Sequence, residues 1–157
     1  MKVLFIAKEG VDLYETLVSS ETSRIILRFY EPVRHSCGVA VFPSTLGIAL
    51  SLMSELRWYV RRYMADVLFE LQDGIYGTYA LAREVYERDI RLEEETIRRS
   101  LYGIQNGRVA RIVRIQPGIT SNDQAALTSM DEIFEVWSPE QELVTEEPEE
   151  EYPPDDT

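Results

Sequence analysis

Apolar residues in the first 43 positions come in short runs rather than at helical spacing. Lys2 to Ala7 (KVLFIA), Ser23 to Tyr30 (SRIILRFY) and Gly38 to Phe42 (GVAVF) are dense in β-branched and aromatic types. Gly10, the Ser19/Ser20 pair, Pro32 and Pro43 bound them, which predicts three strands. Arg24 and Arg28 interrupt the second run and give it a wetter face. Three strands do not make a domain alone, so residues 1–43 are expected as a β-rich segment packed on the body that follows.

The period changes after Pro43. Leu46, Ala49, Met53, Leu56, Val60, Tyr63 and Val67 recur at spacings of three and four, and Ser44 stands where an N-cap is wanted. This predicts one helix over 45–72, closed by Asp73 and Gly74. Such a helix would be roughly 40 Å long at 1.5 Å per residue, more than a body of this size needs. It is expected either to break near Ser51 and Ser54 or to pair over 46–67 with a second copy, making a homodimer. Thr78 then caps a second helix, Tyr79 to about Arg88, with Leu81, Ala82 and Val85 as its apolar face. The acids Glu93, Glu94 and Glu95 suit the start of a third helix running to about Gln105, with Gly107 as its end. The apolar run from Val109 to Ile115, set with Arg108, Arg111 and Arg114, and the alternating Glu132 to Trp137 (EIFEVW) read as strands.

Charge changes the picture once it is resolved by position. The 157 residues carry a net charge of −12, which by itself argues against a phosphate-bearing partner. Residues 1–114, however, hold all 16 lysines and arginines and carry +1, whereas 115–157 hold thirteen acids and no base. Fourteen of the 16 bases are arginine, the type suited to bidentate phosphate contacts. Residues 138–157 are acidic, Pro-rich and nearly free of aliphatics, so a disordered tail is expected there. Four roles fit it: solubilising the chain, docking a basic protein partner, covering the arginine surface as an internal competitor, or mimicking DNA.

Candidate chemistry is sparse. Cys37 and His35 are the only residues of their kinds, which leaves no intramolecular disulfide and no multi-ligand metal site. A buried thiol beside a turn histidine is the expected arrangement. No Gly-rich phosphate loop or nucleophile elbow is present, so neither catalytic residues nor a cofactor are expected, and the protein is not expected to be an enzyme. The opening MKVLFIAKEG is charged too early for a signal peptide, and no run approaches a membrane span. A soluble, cytoplasmic protein with no membrane partner is the expectation.

The order helix, helix, turn, helix, strand, loop, strand over 46–137 resembles the winged helix-turn-helix DNA-binding families. The residues that carry the likeness are Thr78 to Val85 (TYALAREV), Glu94 to Leu101 (EETIRRSL), Asn106 to Ile112 (NGRVARI) and the alternating strand at 132–137. The resemblance implies an α+β fold. A winged helix-turn-helix domain with a long first helix would span 44–137, with the three-stranded segment 1–43 before it and the acidic tail after it. It implies a non-enzymatic binder of double-stranded DNA acting in transcription control. Its recognition helix would turn Ile97, Leu101 and Ile104 inward and Glu95, Arg99, Tyr102 and Asn106 outward, with Thr96 and Arg98 on the flanks. Arg108, Arg111 and Arg114 on the wing would position the phosphates. Asp131, Glu132 and Glu135 would repel them, so the strand they sit on should point away. Two other classes fit the sequence. One is a single-stranded nucleic-acid binder in replication or repair, using Arg57 to Tyr63 as a stacking platform, and the other is a protein–protein adaptor.

Overall fold

In the computed structural model, which describes residues 1–88, 97–115 and 127–139, the chain is an α+β fold built on one eight-stranded sheet. Strand β1 (Val3–Ala7) has no exposed position, because it lies between two neighbours and under cover on both faces. Asp12 then caps α1 (Leu13–Ser19), its carboxylate accepting from the Glu15 N–H, and α2 (Glu21–Leu27) follows directly. The hairpin β2 (Val33–His35) and β3 (Gly38–Val41) returns antiparallel to β1. Helices α3 (Leu46–Glu55) and α4 (Arg57–Tyr63) lead into β4 (Met64–Gln72), and a turn gives β5 (Ile75–Gly77). After α5 (Tyr79–Arg88) come β6 (Ile97–Gln105), β7 (Arg108–Arg114) and β8 (Glu132–Pro139).

Sheet order is β2-β3-β1-β4-β5-β8-β6-β7, antiparallel throughout except for the parallel pair β5 and β8. Strand alternation divides the core between the two faces. Val3, Phe5, Val39, Val41, Val67 and Phe69 point to one side and pack with Leu13 and Leu17 of α1, Leu27 of α2, and Leu52, Leu56 and Tyr59 from the α3–α4 region. Leu4, Ile6, Ala40 and Leu68 point to the other, where Ile104 of β6 and Val136 of β8 cover them. The sheet therefore curls back over itself, and its last strands serve as a lid on its first. Gly38 is required by this packing, since a Cβ there would sit 1.9 Å from the Phe5 carbonyl oxygen.

Several sequence expectations are corrected. Residues 23–30 are not a strand: Glu21–Leu27 is helical, with Ser23 and Leu27, four apart, as its buried positions. A short apolar run admits either period, and here the helical one matches what is buried. The single long helix over 45–72 does not form. It turns at Leu56 (φ −96°, ψ 9°) and becomes strand after Tyr63. Because β4 is buried on both faces, its Val67-Leu68-Phe69 run lacks the alternation that marks a half-exposed strand, and the helical spacing continued into it by coincidence. Ala49, Met53 and Leu56 from the supposed dimer stripe are spent on the chain's own core. The cap of α3 is Thr45, not Ser44, with its hydroxyl accepting from the Ile48 N–H.

The third helix is likewise corrected, since Ile97–Gln105 is strand β6. It is joined to β7 by Asn106-Gly107, whose φ values of 55° and 77° are those of a two-residue hairpin turn. The Asn-Gly pair between two apolar runs was the signal for that hairpin, and it resembles a helix end because both place a glycine in the left-handed region. A winged helix with its recognition helix at 97–105 is therefore not what these residues build. The second helix and its Thr78 cap, the strands at 3–7, 38–41 and 108–114, and the strand at 132–137 are present as expected, Thr78 accepting from the Leu81 N–H. Residues 138 and 139 extend β8, and the rest of the acidic tail lies outside the described residues.

Candidate nucleic-acid interface

Between Ile97 and Ile115 the chain has five arginines and not one acid. Folding turns this sequence into the hairpin β6–β7, which puts Arg98 and Arg99 on one strand and Arg108, Arg111 and Arg114 on the other. The register pairs Gly103 with Arg111 and Ile104 with Val109, so Ala110 is the extra residue of a β-bulge. Arg108 and Arg111 are three apart and would lie on opposite faces of a regular strand. The bulge re-phases β7 and places them on the same side. Strand β7 forms one edge of the sheet, with β6 beside it and no strand beyond among the described residues.

Seven of the nine residues expected to read DNA thus share one hairpin, on strands rather than on a helix. Glu95 and Thr96 lie outside the described residues. Arg99 is exposed and its guanidinium lies over the β8 indole, 4.7 Å from the Trp137 ring centroid. Tyr102 faces the inner core with Ile104. Asn106 is at the turn, where its N–H donates to the Asp131 carboxylate at 3.1 Å. Arg108 is ion-paired with Glu9 of the β1–α1 loop. Arg111 and Arg114 are exposed and form no ion pair among the described residues. Expecting Ile97, Leu101 and Ile104 on one face was a consequence of the helical period. On the strand, Ile104 faces inward while Ile97 and Leu101 occupy the opposite set of positions.

The acids expected to oppose a phosphate backbone are engaged elsewhere. Strand β8 is separated from β7 by β6. Glu132 accepts from the Ser36 hydroxyl at 2.6 Å, Glu135 accepts from the Trp137 indole N–H at 2.8 Å, and Asp131 takes the Asn106 N–H. The second cluster, Arg57 to Tyr63, forms α4. Tyr59 is buried and its hydroxyl meets Ser20 Oγ at 2.5 Å, while Trp58 and Tyr63 pack at the core margin. Of its rings, Tyr59 is enclosed in the core, and Trp58 and Tyr63 are half-buried.

One constellation was not expected to be linked. Cys37 Sγ lies 3.3 Å from His35 Nδ1, and His35 Nε2 lies 3.7 Å from Glu132 Oε2, the order of a thiol, a base and an orienting carboxylate. Its electrostatics oppose nucleophilic use. Cys37 is 1% exposed, and burial, reinforced by the Glu132 charge, pushes its thiol up to about 11, so it stays protonated at neutral pH. Burial also lowers the His35 pKa, against the opposing pull of Glu132, which favours the neutral ring. The trio instead ties the β2–β3 turn to β8. No signal in the sequence connects positions 35 and 132, which lie 97 residues apart and meet only through the curl of the sheet. Among the described residues no group of three or more His, Cys, Asp or Glu is placed to hold a metal ion, and no helix is long and apolar enough to cross a membrane.

The chain belongs to a family of unknown function, DUF5804, whose profile matches residues 1–104. The match runs from β1 to the Ile104 position of β6, so the hairpin turn and β7 lie beyond it. No curated protein and no solved structure is significantly similar to the chain.

Proposed function

We propose that this is a non-enzymatic DNA-binding protein whose β6–β7 hairpin, rather than a helix, contacts the duplex. The observation that carries this reading is the charge of that one element: five arginines with no acid over 97–115, of which Arg111 and Arg114 stand exposed on an edge strand without a carboxylate partner among the described residues. Two exposed arginines elsewhere in the fold have carboxylate partners, Arg34 with Asp12 and Glu15 and Arg83 with Glu87. A basic strand pair is a known way for protein to meet a DNA groove, since the major groove admits a two-stranded ribbon as well as a helix. Arg108 and Arg111, on one side because of the bulge, would track phosphates. Arg99, stiffened on Trp137, is the side chain best placed to act on a base edge. Action in transcription control is part of the same proposal.

Fluorescence anisotropy with a labelled duplex of about 25 base pairs and its separated strands tests the reading. The full chain should bind the duplex at about 50 mM salt and weaken steeply by about 200 mM. Arg111→Ala with Arg114→Ala should weaken binding about tenfold or more on every sequence and flatten the salt slope by about 2. Arg99→Ala should weaken it by an amount that depends on sequence. Failure of the full chain to bind duplex at low salt, or unchanged binding by the double variant, removes the proposal. Preference for the separated strands would transfer it to single-stranded nucleic acid.

A further inference from the structure

Three turns that lie far apart in sequence meet at one end of the fold. The β1–α1 loop, the β2–β3 turn and the Asn106–Arg108 tip of the hairpin enclose a cleft of about 660 Å³, within the size range of small-molecule sites. The charged residues lining it are Lys8, Arg34 and Arg108 against Glu9 and Asp12. Asp12 is engaged, accepting from the Glu15 N–H and from Arg34, and Arg34 also holds Glu15. Glu9 pairs with Arg108 through a side chain that is 80% exposed. An ion pair so open to water contributes little, so another oxyanion can take its place. The hydrogen-bonding capacity that remains is mostly donor. Lys8 Nζ gives one of its three hydrogens to the Arg61 carbonyl at 2.8 Å, and neither the Asn106 side-chain amide nor the Tyr14 hydroxyl has a hydrogen bond among the described residues.

We infer that this cleft binds a small phosphomonoester, its phosphate replacing the Glu9 carboxylate on Arg108 and accepting from Lys8 and Asn106. An oxyanion is selected because the group most open to displacement, Glu9, is itself a carboxylate on a guanidinium. Phosphate fits better than carboxylate because the donors stand on two separate turns. A tetrahedral group with three terminal oxygens accepts from several directions, whereas a planar carboxylate is matched by a single guanidinium fork. The cleft is larger than a bare phosphate, which leaves room for the organic part of the ligand beside Tyr14. Arg108 also belongs to the proposed duplex surface, so an occupied cleft withdraws it from DNA. That consequence rests on the proposed function, whereas the site does not.

Amide shifts of the isotope-labelled full chain test the site, with ribose 5-phosphate, inorganic phosphate and citrate as probes at matched ionic strength. Ribose 5-phosphate should give saturable shifts concentrated at 8–14, 35–38 and 106–108. Its binding should fall about tenfold in Arg108→Gln and in Asn106→Asp, the latter an exchange that the left-handed backbone at 106 accepts. It should rise about threefold in Glu9→Gln and stay unchanged in Arg83→Gln on α5. Absent or scattered shifts, undiminished binding by Arg108→Gln and Asn106→Asp, or no gain in Glu9→Gln overturns the assignment. Citrate binding as tightly as ribose 5-phosphate overturns the phosphate class, and inorganic phosphate binding as tightly overturns the organic ligand. In the duplex assay at constant ionic strength, saturating ribose 5-phosphate should weaken binding about threefold, and unchanged affinity overturns the coupling to DNA. A chain that binds the sugar phosphate and no duplex keeps the site and removes the DNA-binding reading instead.

Discussion

Strands β1 and β7 are both rich in β-branched residues, yet they occupy opposite situations. β1 sits between β3 and β4, with α1, α2 and the α3–α4 region supplying cover on one face and β6 and β8 on the other, and Val3 to Ile6 are all buried. Among the described residues β7 has a single neighbouring strand, and Ile112 is 57% exposed between Arg111 and Arg114. The difference shows how one sheet divides its labour. Its helix-backed half holds the larger buried cluster, and the hairpin at its far edge leaves Arg111 and Arg114 exposed.

The comparison can be broken most severely in the core. Phe69→Ala, at a fully buried position in β4, should cost about 3–5 kcal/mol, measured by urea unfolding, whereas Ile112→Ala on β7 should stay within about 0.5 kcal/mol. Similar losses at both positions would mean that the two strands are not divided in this way. A smaller effect is expected where the halves meet. Gly107 has φ 77°, and a Cβ there would lie 2.9 Å from the Ser36 carbonyl oxygen of the β2–β3 turn. Gly107→Ala should cost about 1–2 kcal/mol and loosen the hairpin tip, visible as faster amide exchange at 104–109 with little change in β1.

The smallest effect sharpens the same junction through pH. His35 has a folded-state pKa below its ordinary 6.5 because burial disfavours the charged ring, with Glu132 opposing and Lys2 adding slightly. The unfolded chain therefore takes up this proton more readily. The stability tied to neutral His35 is present above about pH 6.5 and is lost as pH falls below it. The midpoint temperature should drop more between pH 7.5 and 5.5 in the unaltered protein than in His35→Gln, by about one or two degrees. Identical drops would show that burial of His35 does not couple to stability.

How much of this was legible depends on whether an element's partners were near in sequence. Thr78 and the helix after it were readable because a cap and an apolar face are local. The hairpin was readable in principle from Asn106-Gly107, but the acids at 93–95 and the helical spacing of Ile97, Leu101 and Ile104 favoured a helix when weighed alone. Strand β4 was hidden for the opposite reason, since burial on both faces erases the period by which strands are recognised. The arginines grouped as a candidate site share one hairpin, although the geometry attached to them belonged to a helix.

By itself, the sequence determined the separation of charge, with a near-neutral body followed by an acidic end, and the run of arginines without acids at 97–115. It also determined the local caps and turns, because these depend on residues within a few positions of one another. Tertiary structure decided that 97–105 is a strand, since its backbone hydrogen bonds are completed by β7 and β8, the latter 28 residues or more away in the chain. It also decided that Arg108 and Arg111 share a side, through a bulge that only a paired strand can have. And it decided that Glu132 faces His35 and Ser36 rather than the arginine edge, because the sheet buries its inner residues by curling until its last strands cover its first.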